Sequence, residues 1–84
     1  MRPFIQCLFL AIVLKCGVEY RIVGMDGKVN FYLVKEALPN GDYVAYSPAR
    51  WIGIINSRPA FEYKIDDRWK VILHPADMDS AEAM

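Results

Sequence analysis

Apolar and polar residues alternate along much of this chain, and two stretches combine the alternation with turn chemistry. Val18-Glu19-Tyr20-Arg21-Ile22 and Val29-Asn30-Phe31 running into Leu33 flank Gly24-Met25-Asp26-Gly27-Lys28. A two-residue type I′ loop at Asp26-Gly27 would pair Ile22 with Phe31 and Tyr20 with Leu33, placing the apolar side chains on one face. The second stretch pairs Phe61-Glu62-Tyr63-Lys64-Ile65 with Trp69-Lys70-Val71-Ile72-Leu73. A three-residue loop, Asp66 to Arg68, sets Ile65 against Trp69, Tyr63 against Val71 and Phe61 against Leu73. The middle reads as a turn over Leu38-Pro39-Asn40-Gly41-Asp42, then Tyr43-Val44-Ala45-Tyr46, then Trp51-Ile52-Gly53-Ile54-Ile55. Three isoleucines favour a strand in the last of these. Asn56-Ser57-Arg58-Pro59 is another turn. The acidic tail from Pro75 to Met84 is expected to fray after at most one helical turn.

From Phe4 to Leu14 only Gln6 interrupts an apolar run, preceded by Arg2 and followed by Lys15. The run is too short for a bilayer, which takes ~20 helical residues. A secretory signal fits the leading arginine, but no small-x-small cleavage pair follows. A buried helix or strand fits the length as well, and Pro3 in a first turn with Gly17 as a stop favours the helix. The expected architecture is therefore α+β in one domain, 1–84: an apolar helix in 1–17, packed on a twisted antiparallel sheet of about five strands in 18–74, with 75–84 as the tail. The alternative is a small SH3-like β-barrel, which the run from Asp42 to Met78, with short strands, aromatics and a closing His-Pro-Ala-Asp-Met, resembles in outline.

Apolar residues make up 55% of the 84 and aromatics 13%, enough for a core without metals or several disulfides. Ten basic residues balance ten acidic ones. Zero net charge is a poor basis for bulk phosphate neutralisation, and it leaves little repulsion to keep copies apart, so a homodimer fits. Cys7 and Cys16, nine residues apart, fall on opposite faces of either a helix or a strand, so they are expected to be free, buried thiols.

No catalytic or metal-binding constellation emerges, and no cofactor is implied. His74 is the single histidine, and it reads as a hydrogen-bonded strand end. With Asp77 and Asp79 it makes only a loose ligand cluster. Asp66-Asp67 reads as a turn rather than as paired catalytic carboxylates. The candidate binding residues are Lys64, Arg68 and Lys70 on the outward face of the last hairpin, extended by Arg50, Trp51 and Arg58, with Tyr43 and Tyr46 nearby. Lys64 would lie directly opposite Lys70, a like-charge pairing that Glu62 and Asp66 offset or an acidic partner uses. The expected function is a non-enzymatic interaction protein that binds a partner protein, of the kind seen among accessory or inhibitor proteins of mobile elements. One alternative is a nucleic-acid-binding barrel; another is a secreted domain with residues 1–17 removed. Without that removal the expected location is cytoplasmic, with no membrane span.

Overall fold

A computed structural model describes residues 12–84. The expected helix and the signal reading lie largely in 1–11, outside the described residues, as does Cys7. Residues 12–15 are not helical, and Gly17 closes no helix but sits in a turn with Cys16. The α+β expectation gives way to a nearly all-β chain. Among the described residues 59% lie in strands and no helix reaches seven residues. None is long and apolar enough to cross a membrane.

Seven strands form two antiparallel sheets: β1 (Glu19–Gly24), β2 (Val29–Ala37), β3 (Tyr43–Tyr46), β4 (Pro48–Ile55), β5 (Arg58–Tyr63), β6 (Lys70–Leu73) and β7 (Met78–Ala83). The main sheet has the order β6-β3-β2-β1-β7, while β4 and β5 form a separate two-stranded ribbon. The barrel alternative over 42–78 fails for the same reason. Within that run only β3 and β6 join the main sheet, and the other neighbour of β3 is β2.

The first hairpin forms where the turn residues place it, but in a different register. Gly27 takes φ +84 while Asp26 does not have a positive φ, so the type I′ geometry, which needs both, is absent. Instead Gly24 N–H donates to Lys28 O and Gly27 N–H to Gly24 O, both at 2.9 Å, enclosing a three-residue loop whose glycine supplies the bulge. Ile22 then opposes Asn30, and Tyr20 opposes Tyr32. This one-residue slip gathers Tyr20, Ile22, Tyr32 and Val34 on one face and turns Phe31 and Leu33 to the other.

The first of these faces holds the core. Leu14, Tyr20, Ile22, Val34, Tyr43, Ala45, Leu73 and Met78 cluster there out of solvent, with Ile12, Val18, Tyr32, Val71 and Ala81 around them. The arriving chain lies across it. Leu14 N–H donates to the Tyr43 hydroxyl at 3.1 Å and Lys15 N–H to the Tyr20 hydroxyl at 2.7 Å. Core tyrosines thereby satisfy backbone donors that no helix or strand does. Cys16, expected to be buried, is exposed.

The tail does not fray. Pro75–Asp77 makes a 3-10 turn, and β7 then pairs along β1, with Met84 N–H donating to Glu19 O at 3.0 Å. This turn joins the two outermost strands of the sheet. In a flat sheet, four spacings of about 4.8 Å would hold β6 and β7 some 19 Å apart. Three of the four linking residues rise only about 2 Å each. The sheet must therefore curl at this end, which is why Leu73 and Met78 meet in one core.

The second predicted hairpin does not form. β5 pairs with β4, and β6 pairs with β3, setting Leu73 against Tyr43 and Val71 against Ala45. Between β5 and β6, Asp66 caps a 3-10 turn at Asp67–Trp69, its carboxylate accepting from Arg68 N–H at 2.9 Å.

The register of β6 makes a direct prediction. Leu73→Ala, in the core, should lower unfolding free energy by about 2–5 kcal/mol. Ile72→Ala, on the adjacent and half-exposed side chain, should cost about 0.5 kcal/mol. Chemical denaturation of the pair checks this, and equal losses would contradict the inward–outward assignment.

Candidate binding surface

The β4–β5 ribbon is closed by Asn56-Ser57, both in the left-handed region (φ 54 and 66), between the paired Ile55 and Arg58. This is a two-residue hairpin turn of the type I′ class made without glycine. The turn expected over 56–59 is thus shorter, and Arg58-Pro59 already belongs to β5. Along β4 the register shifts between Trp51 and Gly53, whose φ of +137 admits little but glycine.

One side of β5 faces the main sheet. Phe61 stacks on Phe31 of β2 with ring centroids 4.2 Å apart. Tyr63 carries an enclosed hydroxyl with no hydrogen-bond partner among the described residues. Burial, and then the nearby Glu19 carboxylate, push its pKa well up. Along β4 most side chains are exposed. Trp51, Ile52, Ile54 and Ile55 are 60%, 49%, 63% and 53% exposed. A single exposed isoleucine needs no explanation, but four large exposed apolar side chains on the two faces of one strand are unusual. The strand's far edge is also open, because among the described residues its one neighbour is β5. Edge strands are commonly blunted by lysine, proline or a bulge. β4 has Pro48 at its start and the Gly53 bulge, but no lysine.

The candidate cations divide into two groups. Arg50, Trp51 and Arg58 lie on the ribbon. Arg50 reaches across to Glu62, with Nη2 2.8 Å and Nε 3.1 Å from the same carboxylate oxygen. Each partner shifts the other: the Arg50 pKa rises and the Glu62 pKa falls, with hydrogen bonding the largest cause. Lys64, Arg68 and Lys70 surround the 3-10 turn, and the expected Lys64–Lys70 opposition is absent. Lys64 Nζ sits 4.8 Å from the centre of the Trp69 ring. Arg68 lies 3.7 Å from Asp66, and Lys70 lies 3.1 Å from Asp67. Local acids thus neutralise Arg50, Arg68 and Lys70. Tyr43 and Tyr46, expected to extend the basic patch, are buried.

His74 does mark a strand end, its Nδ1 3.0 Å from Asp42 Oδ2. Among the described residues no three potential metal ligands come together. The hollow between His74, Asp77, Tyr32 and Asn30 has about 190 Å³, below the ~300 Å³ at which small-molecule sites begin. The residues that sequence reasoning missed are Ile52, Ile54 and Ile55, which it read only as part of a strand. Adjacent Ile54 and Ile55 point to opposite faces of the ribbon and both are exposed, which a run of β-branched residues does not signal.

No family model matches the chain, and neither does any curated protein or solved structure.

Two outcomes follow for the ribbon. Ser57→Gly relieves a left-handed serine, so it should stabilise by up to about 1 kcal/mol and slow amide exchange in β4 and β5; faster exchange would contradict the turn. The Glu62 carboxylate titrates below its ordinary value. Its ion pair therefore contributes fully above the usual glutamate pKa near ~4.3 and is lost as pH falls through the lower folded value. NMR titration should show the Glu62 pKa returning to normal in Arg50→Gln, and an unchanged value would refute the pairing.

Proposed function

We propose that this protein is a non-enzymatic interaction module that binds a partner protein through the outer strand of its β4–β5 ribbon. The observation that carries this reading is the coincidence, on β4, of an open hydrogen-bonding edge with four exposed large apolar side chains. Proteins recognised by strand addition use these two properties together: main-chain hydrogen bonds supply affinity, and alternate side chains supply selectivity. The ribbon packs on the main sheet through Phe61 against Phe31, while the free edge of β4 and its apolar side chains stay exposed to a partner.

A nucleic-acid reading has less support. Three of its proposed cations are held by local carboxylates, and formal net charge is zero. Phosphate binding draws on cations available to displace counterions.

The test is quantitative affinity capture from the native host with nuclease present, using wild type and the double variant Ile52→Ser, Ile54→Ser. Both side chains are exposed, so circular dichroism and Tm should be nearly unchanged. At least a tenfold drop in a nuclease-resistant partner is expected. Equal capture by both proteins, or capture that disappears with nuclease and with Lys64→Glu, Lys70→Glu, would overturn the reading.

A further inference from the structure

We propose that the occupant of the β4 edge is β4 of a second copy of this chain, paired antiparallel about a two-fold axis between Ile52 and Gly53 to give a continuous sheet β5-β4-β4-β5. This rests on the reading of β4 as a protein-binding edge and specifies what binds there.

The first argument is charge. Arg50 is the single charged residue of β4. Parallel self-pairing in register would stack the two Arg50 residues one strand spacing apart, about 4.8 Å. The antiparallel arrangement places each Arg50 beside Ile55 of the other copy and separates the two guanidinium-bearing positions by five residues, about 17 Å along the strand. That distance exceeds the screening length of ~8 Å at physiological salt. Each Arg50 also retains Glu62 at 2.8 Å, so no uncompensated charge enters the junction. The neutral whole chain adds no long-range repulsion.

The second argument is the match of side chains. Trp51 opposes Phe61, and Ile54 opposes Pro59. Phe61 and Pro59 are alternate residues of β5, so Trp51 and Ile54 share one ribbon face. The proposed axis sets Trp51 of each copy against Ile54 of the other, an aromatic–β-branched cross-strand pair made twice. The irregular backbone between Trp51 and Gly53 falls on the axis itself, and the second register shift of β4, between Pro48 and Arg50, lies outside the paired span of 50–55. An isologous contact of this kind closes on itself and stops at two copies.

The third argument is area. The exposed parts of Trp51, Ile52, Ile54 and Ile55 amount to roughly 400 Å² per copy, given 150–250 Å² for a buried aromatic and somewhat less for isoleucine. Two copies bury at most about 800–1,000 Å² with the backbone edge included, below the ~1,200 Å² of stable interfaces and in the range of transient ones. The dimer is therefore weak and exchanges readily. Pairing also extends a two-stranded ribbon, a structure of marginal independent stability, to four strands.

Sedimentation velocity from about 10 µM to 1 mM, under reducing conditions so that exposed Cys16 cannot cross-link copies, tests this. Wild type should show a concentration-dependent monomer–dimer equilibrium. Trp51→Glu and Ile54→Lys, both on exposed side chains, should each weaken it at least tenfold while keeping the β-sheet circular dichroism. An equimolar mixture of the two variants should associate more tightly than either alone. In the mixed dimer one junction pair becomes Glu against Lys, and the other remains Ile54 against Trp51. Wild type monomeric throughout, a dimer insensitive to both variants, or a mixture no tighter than its components would overturn the proposal. Monomeric wild type that still captures a host partner through Ile52 and Ile54 removes the self-pairing and leaves the binding surface standing.

Discussion

Val34 and Ala45 lie side by side across β2 and β3, and both are wholly excluded from solvent. No other pair constrains the chain as much. Ala45 is small enough to let β3 sit flat beneath the arriving Leu14, and its other neighbour in the sheet is Val71 of β6. Both edges of β3 are therefore filled. With only Ser47 separating β3 from β4, the chain cannot continue in the same sheet and leaves it as a ribbon. The same packing positions β6, whose Leu73 begins the short crossing to β7, and so the curl of the sheet follows from it. The core and the separate ribbon have one cause.

The strands were largely legible in the sequence, and their partners were not. The Asp26-Gly27 turn and the strands near 18–23, 29–34, 43–46 and 51–55 are where turn residues and β-branched side chains indicate. The register of the first hairpin is displaced because the rule that apolar residues share a face holds when one face is covered. Here Val34 faces the core while Phe31 meets Phe61 on the reverse side, so both faces are apolar. The second hairpin is misassigned because alternation shows that a strand has two faces and not which strand lies beside it. Phe61 and Tyr63 satisfy their pattern against β4, and Val71 and Leu73 satisfy theirs against β3. The tail is a strand despite Asp79 and Glu82 because Ser80, opposite Val23, and Glu82, opposite Arg21, take the outward face, Asp79 falls at the register shift, and Met78 and Ala81 turn inward.

At the candidate site the sequence brought forward, by charge, a neighbourhood that the proposed function uses for its apolar side chains. Arg50, Trp51 and Arg58 stood out as a basic–aromatic patch. In the fold, Arg50 is tied to Glu62, and the feature that remains is apolar: Trp51 and the isoleucines around Gly53. An exposed pair of ions is worth little, whereas large apolar groups left in water on an open strand edge are a standing cost that association relieves. Charge is visible in a sequence as composition. An uncovered apolar edge becomes visible only when every other strand has been given its neighbours.

The account therefore depends on the ribbon being separate from the main sheet. Cross-strand nuclear Overhauser contacts in a uniformly labelled sample test this most directly. Trp51 to Phe61 and Ala45 to Val71 should be present, as observed in the two registers here. Contacts from Tyr63 to Val71 and from Phe61 to Leu73 would instead place β5 beside β6, bury the proposed edge in another arrangement and contradict the account.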